Sequence, residues 1–234
     1  IDKGGNDLLE GALLVAKFQY PELEENKAIQ KIESISKNIW IELNPALSAL
    51  EEVHVINHVF YQLYGFFGQA TQQLDVDLGY INNLLDTKKG NSLSLSILYL
   101  ILAQKNDLPI YGINLPFHFI MAYCNKHLSQ HELSNNDDEK SVMFYINPLN
   151  KGIAFSRSEI THYLSQMKLK TNSKFYSPCN NLEIIRTLIY NQLSCYDQNG
   201  NADKAQQLKE LFDLFHFNEE LFFEALKASE KAIQ

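Results

Sequence analysis

The chain has 234 residues, 45% of them hydrophobic and 12% aromatic, and a formal charge of −8. That length fits one large domain or a domain with an appendage, with apolar residues enough for a sizeable core. The acidic balance and the lack of any Lys/Arg run argue against a nucleic-acid groove, because such a surface repels phosphate backbones.

The first part of the chain reads as helical. "NDLLEGALLVAKF" (Asn6–Phe18) repeats apolar residues at Leu9, Leu13 and Ala16, with Asn6 or Asp7 as cap, and Pro21 ends it. "EENKAIQKIESISKNIW" places Ile29, Ile32, Ile35 and Ile39 at helical spacing. "NPALSALEEVHVINHVFYQLYG" predicts a third helix with Asn44 as N-cap, Pro45 at the first helical position and Gly65 as the stop. After a loop, "YINNLLDTKK" reads as a short helix ending before Gly90.

The texture then changes. "SLSLSILYLILAQKN" (Ser92–Asn106) is apolar nearly all round, as a buried central helix is. Four strand-like runs follow: "PIYGIN", "HFIMAYC", "VMFYIN" and "IAFS". Their short connections predict an antiparallel sheet packed on that helix. The segment Asn125–Ser141, with His127 and His131, reads as a solvated loop.

The last third turns helical again. "SRSE" (Ser156–Glu159) is a capping box. Two helices then flank a turn at Asn199-Gly200, with Leu182, Ile185, Ile189 and Leu193 facing Ala205, Leu208, Leu211 and Leu214. This is an αα-hairpin of tetratricopeptide type, and one such unit has to lean on the rest of the fold. "NEELFFEALKASEKAI" predicts a final helix. The expected fold is α+β: a helical N-terminal region, a central helix against a small antiparallel sheet, and a helical tail. The expected division is residues 1–170 for the first unit and 171–234 for the tail.

Cys124, Cys179 and Cys195 are far apart and lack CxxC or Cys/His finger spacing. Neither a zinc site nor a disulfide framework is expected, and a reducing cytoplasm is the simplest home. No apolar run approaches the ~20 residues of a membrane span. No cofactor is implied. His54 and His58 stand at helical i,i+4 spacing with Glu51 beside them, but a third ligand is missing, so an ordinary helix face is the simpler reading. Cys124 follows His118 by six positions on one strand, about 20 Å at strand rise, too far to pair with it.

The order of elements suggests a chemistry. A nucleophile at the N-terminus of a buried helix, a His on the following strand and an Asp or Asn on the next can form a relay of three adjacent groups. At this point the chain resembles the bacterial transglutaminase-like superfamily, in its SirB-type branch with a tetratricopeptide-like tail. The matching stretches are "EGALLVAKFQYPEL", "YINNLLDTKKGNSLSLSILYLILAQKNDLPIYGINLPFHFIMAY", "YINPLNKG" and the tail hairpin. The resemblance implies a papain/transglutaminase-like core flanked by helices. It puts the nucleophile position at Ser92, the base at His118 and the orienting position at Asn147.

Active members of that superfamily carry Cys at the first position and usually Asp at the third. The departure matters chemically. A helix terminus that ionises a thiol does not ionise an alcohol, so serine needs a well-oriented base. Asn orients an imidazole but does not stabilise imidazolium, and replacing the acid of a serine triad costs ~10⁴ in rate. Two readings stay open. Either Ser92, His118 and Asn147 are vestigial and the domain is a protein- or peptide-binding or regulatory module, or they form a weak acyl-transfer or amide-hydrolysis site. Beside both stands the plainer possibility that Ser92 caps a helix, His118 is a satisfied core residue and Asn147 forms a turn.

Overall fold

A computed structural model of the chain describes residues 4–69, 75–125 and 141–213. Segment Asn125–Ser141 apart from its two ends, His127, His131 and the final helix of the tail lie outside the described residues. The order is α1 (Gly4–Gln19), α2 (Glu25–Glu42), α3 (Ala49–Asn57), β1 (Phe67–Gly68), α4 (Ile81–Thr87), β2 (Lys89–Gly90), α5 (Ser92–Lys105), β3 (Ile110–Leu115), β4 (His118–Cys124), β5 (Val142–Asn147), β6 (Ile153–Phe155), α6 (Arg157–Gln166), α7 (Asn181–Gln198) and α8 (Ala202–Asp213). The fold is α+β, as the residue patterns predict.

Helix α5 is the axis. Every residue from Leu93 to Ala103 is buried, which is why its sequence shows no polar face. Antiparallel strands β3-β4-β5-β6 form one sheet beside it. Alternation divides the sheet cleanly. Phe119, Met121, Tyr123 and Ile146 join the α5 core, whereas Ile113, Leu115, Ile120, Ala122 and Tyr145 form a second cluster with Ile160 and Leu164 of α6. The sheet is therefore sandwiched between α5 and α6.

The main core also takes Leu8, Leu13 and Ala16 of α1 and Ile184, Leu188 and Ile189 of α7, so the tail belongs to the same apolar interior. Gly11 permits this approach: a Cβ there would stand 2.7 Å from Ile185 Cγ1. A polar seam accompanies it. Tyr80 Oη and Tyr196 Oη are 2.9 Å apart, and Tyr196 Oη donates to Gln19 Oε1 at 2.7 Å.

Several boundaries differ from the sequence expectation. Helix α1 begins at Gly4, ahead of Asn6 and Asp7. Helix α3 begins at Ala49, not Pro45: Ser48 is its cap, in a capping box with Glu51, and Asn44 instead accepts from Ala46 N–H in a separate turn. A Ser-x-x-Glu box satisfies two orphan N–H groups where Asn-Pro satisfies one, so the later start prevails. The same helix ends in a π-helical stretch, His58–Leu63, with Tyr64 N–H bonded to Val59 O at 2.9 Å. In α7, Leu182 is 46% exposed and does not join the hairpin interface, while Ile185 and Ile189 are buried with Ala205 and Leu208. Short parallel strands β1 and β2 were not legible in the pattern, being two residues each.

Candidate functional site

The N-terminal end of α5 is assembled from four chain segments. Asn91, not Ser92, is the helix cap. Its Oδ1 accepts from Ser94 N–H at 2.9 Å, and Ser94 Oγ accepts from Asn91 N–H at 3.1 Å, a reciprocal box. Ser94 Oγ also donates to Leu78 O at 2.6 Å. This fixes the helix to the 3₁₀ turn Val76–Gly79, which Gln192 of α7 holds from the other side through Val76 O at 3.1 Å.

Ser92 is the first residue of the helix and is half-buried. Its Oγ accepts a long hydrogen bond, 3.5 Å, from Phe119 N–H of β4. Among the described residues it makes no hydrogen bond to the His118 ring. Strand register gives the reason. Leu115 pairs with His118, and Ile120 follows it on the same face; Tyr145 and Asn147 share that face on β5. Alternation thus places His118 and Asn147 on the α6 side of the sheet, and the ring contact between His118 and Tyr163 of α6, 6.4 Å between centroids, agrees. Ser92 meets the strand through its backbone.

His118 and Asn147 are brought together. Burial holds the His118 imidazole below its ordinary value of 6.5, outweighing a hydrogen bond that the ring donates to the Asn147 side chain and that favours the protonated form. The Asn147 oxygen has other duties. It accepts from Leu149 N–H at 3.0 Å and Asn150 N–H at 3.3 Å, so it also forms the turn "NPLNKG". Asn147 thus acts as turn former and imidazole partner at once.

That turn is clamped from the helical side. Tyr61 Oη donates to Pro148 O at 3.0 Å, and Asn57 Nδ2 donates to Gly152 O at 2.9 Å while its Oδ1 accepts from buried Tyr99 Oη at 3.0 Å. Gly152 has φ +69°, and a Cβ there would fall 1.9 Å from Asn57 Oδ1. Asn57, Tyr61 and Tyr99 are positioning residues that the helix pattern gave no means of singling out.

The other candidates lie elsewhere. Cys124 is fully buried. Cys179 is held well above the usual thiol range by burial, and Cys195 is pushed up to about 11 for the same reason. His58 pairs with Glu42 at 3.0 Å. Among the described residues no group of three His, Cys, Asp or Glu could hold a metal ion, and no helix is long and apolar enough to cross a membrane.

A buried helix capped against a strand that starts with His is the transglutaminase-like arrangement, and the family model of the transglutaminase-like superfamily matches residues 26–189. The chain belongs to the transglutaminase-like superfamily. Its relatives include a UPF0162 protein of Xylella fastidiosa, 25% identical over 49% of this chain and 41% of the relative, and one of Vibrio cholerae, 27% identical over 62% and 48%. F-box only protein 21 of Mus musculus is 24% identical over 68% of this chain and 24% of its own length. The chain spans less than half the length of these curated relatives. No solved structure matches significantly.

Proposed function

We propose that this transglutaminase-like domain is a degenerate, non-catalytic member whose cleft serves binding or regulation of a protein or peptide partner. The observation that carries the reading is Ser92, which stands in the nucleophile's place with its Oγ engaged by the Phe119 amide rather than by an imidazole. A general base has to reach the proton it takes, within about 3 Å. A neutral alcohol that no imidazole engages lacks the activation that a serine nucleophile needs at pH 7. On this reading Ser92, His118 and Asn147 are vestigial positions, the family branch is the SirB type, and the α7–α8 hairpin is a tetratricopeptide-like unit that offers a second surface for a partner.

The test is turnover. The purified chain is expected to hydrolyse neither p-nitrophenyl acetate nor a glutamine-containing dipeptide above background, and Ser92→Cys is expected to gain nothing over Ser92→Ala. Activity that Ser92→Ala abolishes would sink the reading. It would favour instead a weak acyl-transfer or amide hydrolase using Ser92, His118 and Asn147, for which the retained His118–Asn147 bond is the supporting observation.

A further inference from the structure

Helix α7 reaches the candidate site through one face. Gln192 and Tyr196 stand at i,i+4 spacing, so they project from successive turns of α7 on the same side. Both are buried, at 1% and 4% exposure. Gln192 Nε2 donates to Val76 O at 3.1 Å, and Tyr196 Oη meets Tyr80 Oη at 2.9 Å. Helix α7 therefore holds the 3₁₀ turn Val76–Gly79 at its first residue and at Tyr80, the residue that caps it. Between these two grips the packing is close. A Cβ at Gly79 would stand 2.7 Å from both Oε1 and Nε2 of Gln192, so the turn lies directly on the Gln192 amide.

The other side of the same turn carries the N-terminal end of α5. Leu78 O accepts from Ser94 Oγ at 2.6 Å and from Asn91 N–H at 3.3 Å. Asn91 and Ser94 are the two halves of the box that caps α5, and Ser92 lies between them. The turn has further bonds, but they hang on exposed Asp77: Tyr20 Oη donates to its Oδ1 at 2.6 Å and Asn83 Nδ2 to its carbonyl at 3.2 Å. Water replaces an exposed hydrogen bond that breaks, whereas a buried group that loses its partner stays unsatisfied. Leu78, Gly79 and Tyr80 are buried, so the bonds toward α5 and α7 are the ones that fix the turn. A 3₁₀ segment this short has poor internal bonds, and its place is set by what grips it. We infer that the turn is a strut through which α7 sets the N-terminal end of α5, so that a displacement of the tail hairpin is transmitted to Ser92. On the binding reading above, on which this regulatory role rests, a partner held by the α7–α8 hairpin adjusts the cleft. The coupling is reciprocal: loosening α5 at the turn loosens the hold of α7 by the same free energy.

Amide hydrogen exchange of the full chain tests this. Gln192→Met conserves most of the side-chain volume and removes the bond to Val76 O. The amides of Asn91 and Ser94 are then expected to exchange at least ~10-fold faster relative to those of Leu98 and Leu100 in the middle of α5, about 1.4 kcal/mol of local opening. Tyr196→Phe, which deletes one hydroxyl, is expected to act in the same direction and serves alone if Gln192→Met does not fold. In the reciprocal arm, Ser94→Ala is expected to shift the side-chain Nε2 proton resonances of Gln192. Equal acceleration of all four amides would make Gln192 a packing residue and overturn the inference, as would unmoved Gln192 resonances in Ser94→Ala. The readout uses neither substrate nor partner. Ser92-dependent turnover would therefore remove the binding reading and leave the strut measurable, whereas uniform exchange would remove the strut and leave the binding reading standing.

Discussion

At the scale of single residues, the division of labour between Asn91 and Ser92 separates cap from cleft. Asn91 satisfies an orphan N–H of α5 and Ser92 does not, so Asn91→Ala is expected to lower unfolding free energy by about 1 kcal/mol. Ser92→Ala should change it by less than about 0.5 kcal/mol, both measured by urea denaturation. His118 yields a pH prediction. Its folded pKa lies below the unfolded value, so the unfolded chain binds more protons as pH falls and stability drops. The loss starts as pH passes down through about 6.5 and is complete below the depressed folded value. His118→Gln should flatten that part of the stability-versus-pH curve relative to the parent chain; an unchanged slope would show that the imidazole is not the group responsible. None of this could be taken from the sequence. "GNS" offers two adjacent cap types, and only the backbone decides which one flanks the helix and which enters it.

Among the elements, those with strong periodicity or complete turn chemistry were legible: α2 from its isoleucines, α5 from its unbroken apolar run, α6 from its capping box, and the antiparallel sheet from four short apolar runs. The site was legible less well. The sequence names Ser92, His118 and Asn147, but the side of the sheet on which a His projects depends on register, and register depends on the two-residue turn at Pro116-Phe117. Side-chain clamps across the fold were not legible at all. The "NPLNKG" turn is recognisable as a turn, yet its anchoring by Asn57 is 95 positions away. Gly152→Ala tests that anchor. The left-handed backbone and the collision with Asn57 Oδ1 together should cost roughly 3 kcal/mol. Combining it with Asn57→Ala should recover part of the loss, a coupling that a double-mutant cycle measures directly.

For the whole molecule, the first and last described helices share one interior. The bond from Tyr196 to Gln19 spans 177 positions, and Ile184, Ile185 and Leu188 lie in the cluster that holds Leu8 and Leu98. Residues 1–170 alone are therefore expected to lose cooperative unfolding and bind a dye for exposed apolar surface, because removing α7 uncovers α1 and α5. A sharp, two-state transition of that fragment would show that the tail is dispensable to the core. Contacts this distant in sequence also imply slow folding, since α1 cannot finish packing before α7 arrives.

The π-helical stretch His58–Leu63 has a consequence of its own. It accommodates one residue more than α-helical winding would over the same rise, and so it turns Val59, Phe60 and Tyr61 toward the interior in succession. Excising His58, Val59 or Phe60 would let the helix rewind and carry Tyr61 about 100° around the axis. The hydroxyl would then face away from Pro148, whatever its chemistry. At this junction the chain is sensitive to how many residues it has rather than to which ones, and a length variant would release one of the two clamps on the turn that carries Asn147, leaving Asn57 to hold it alone.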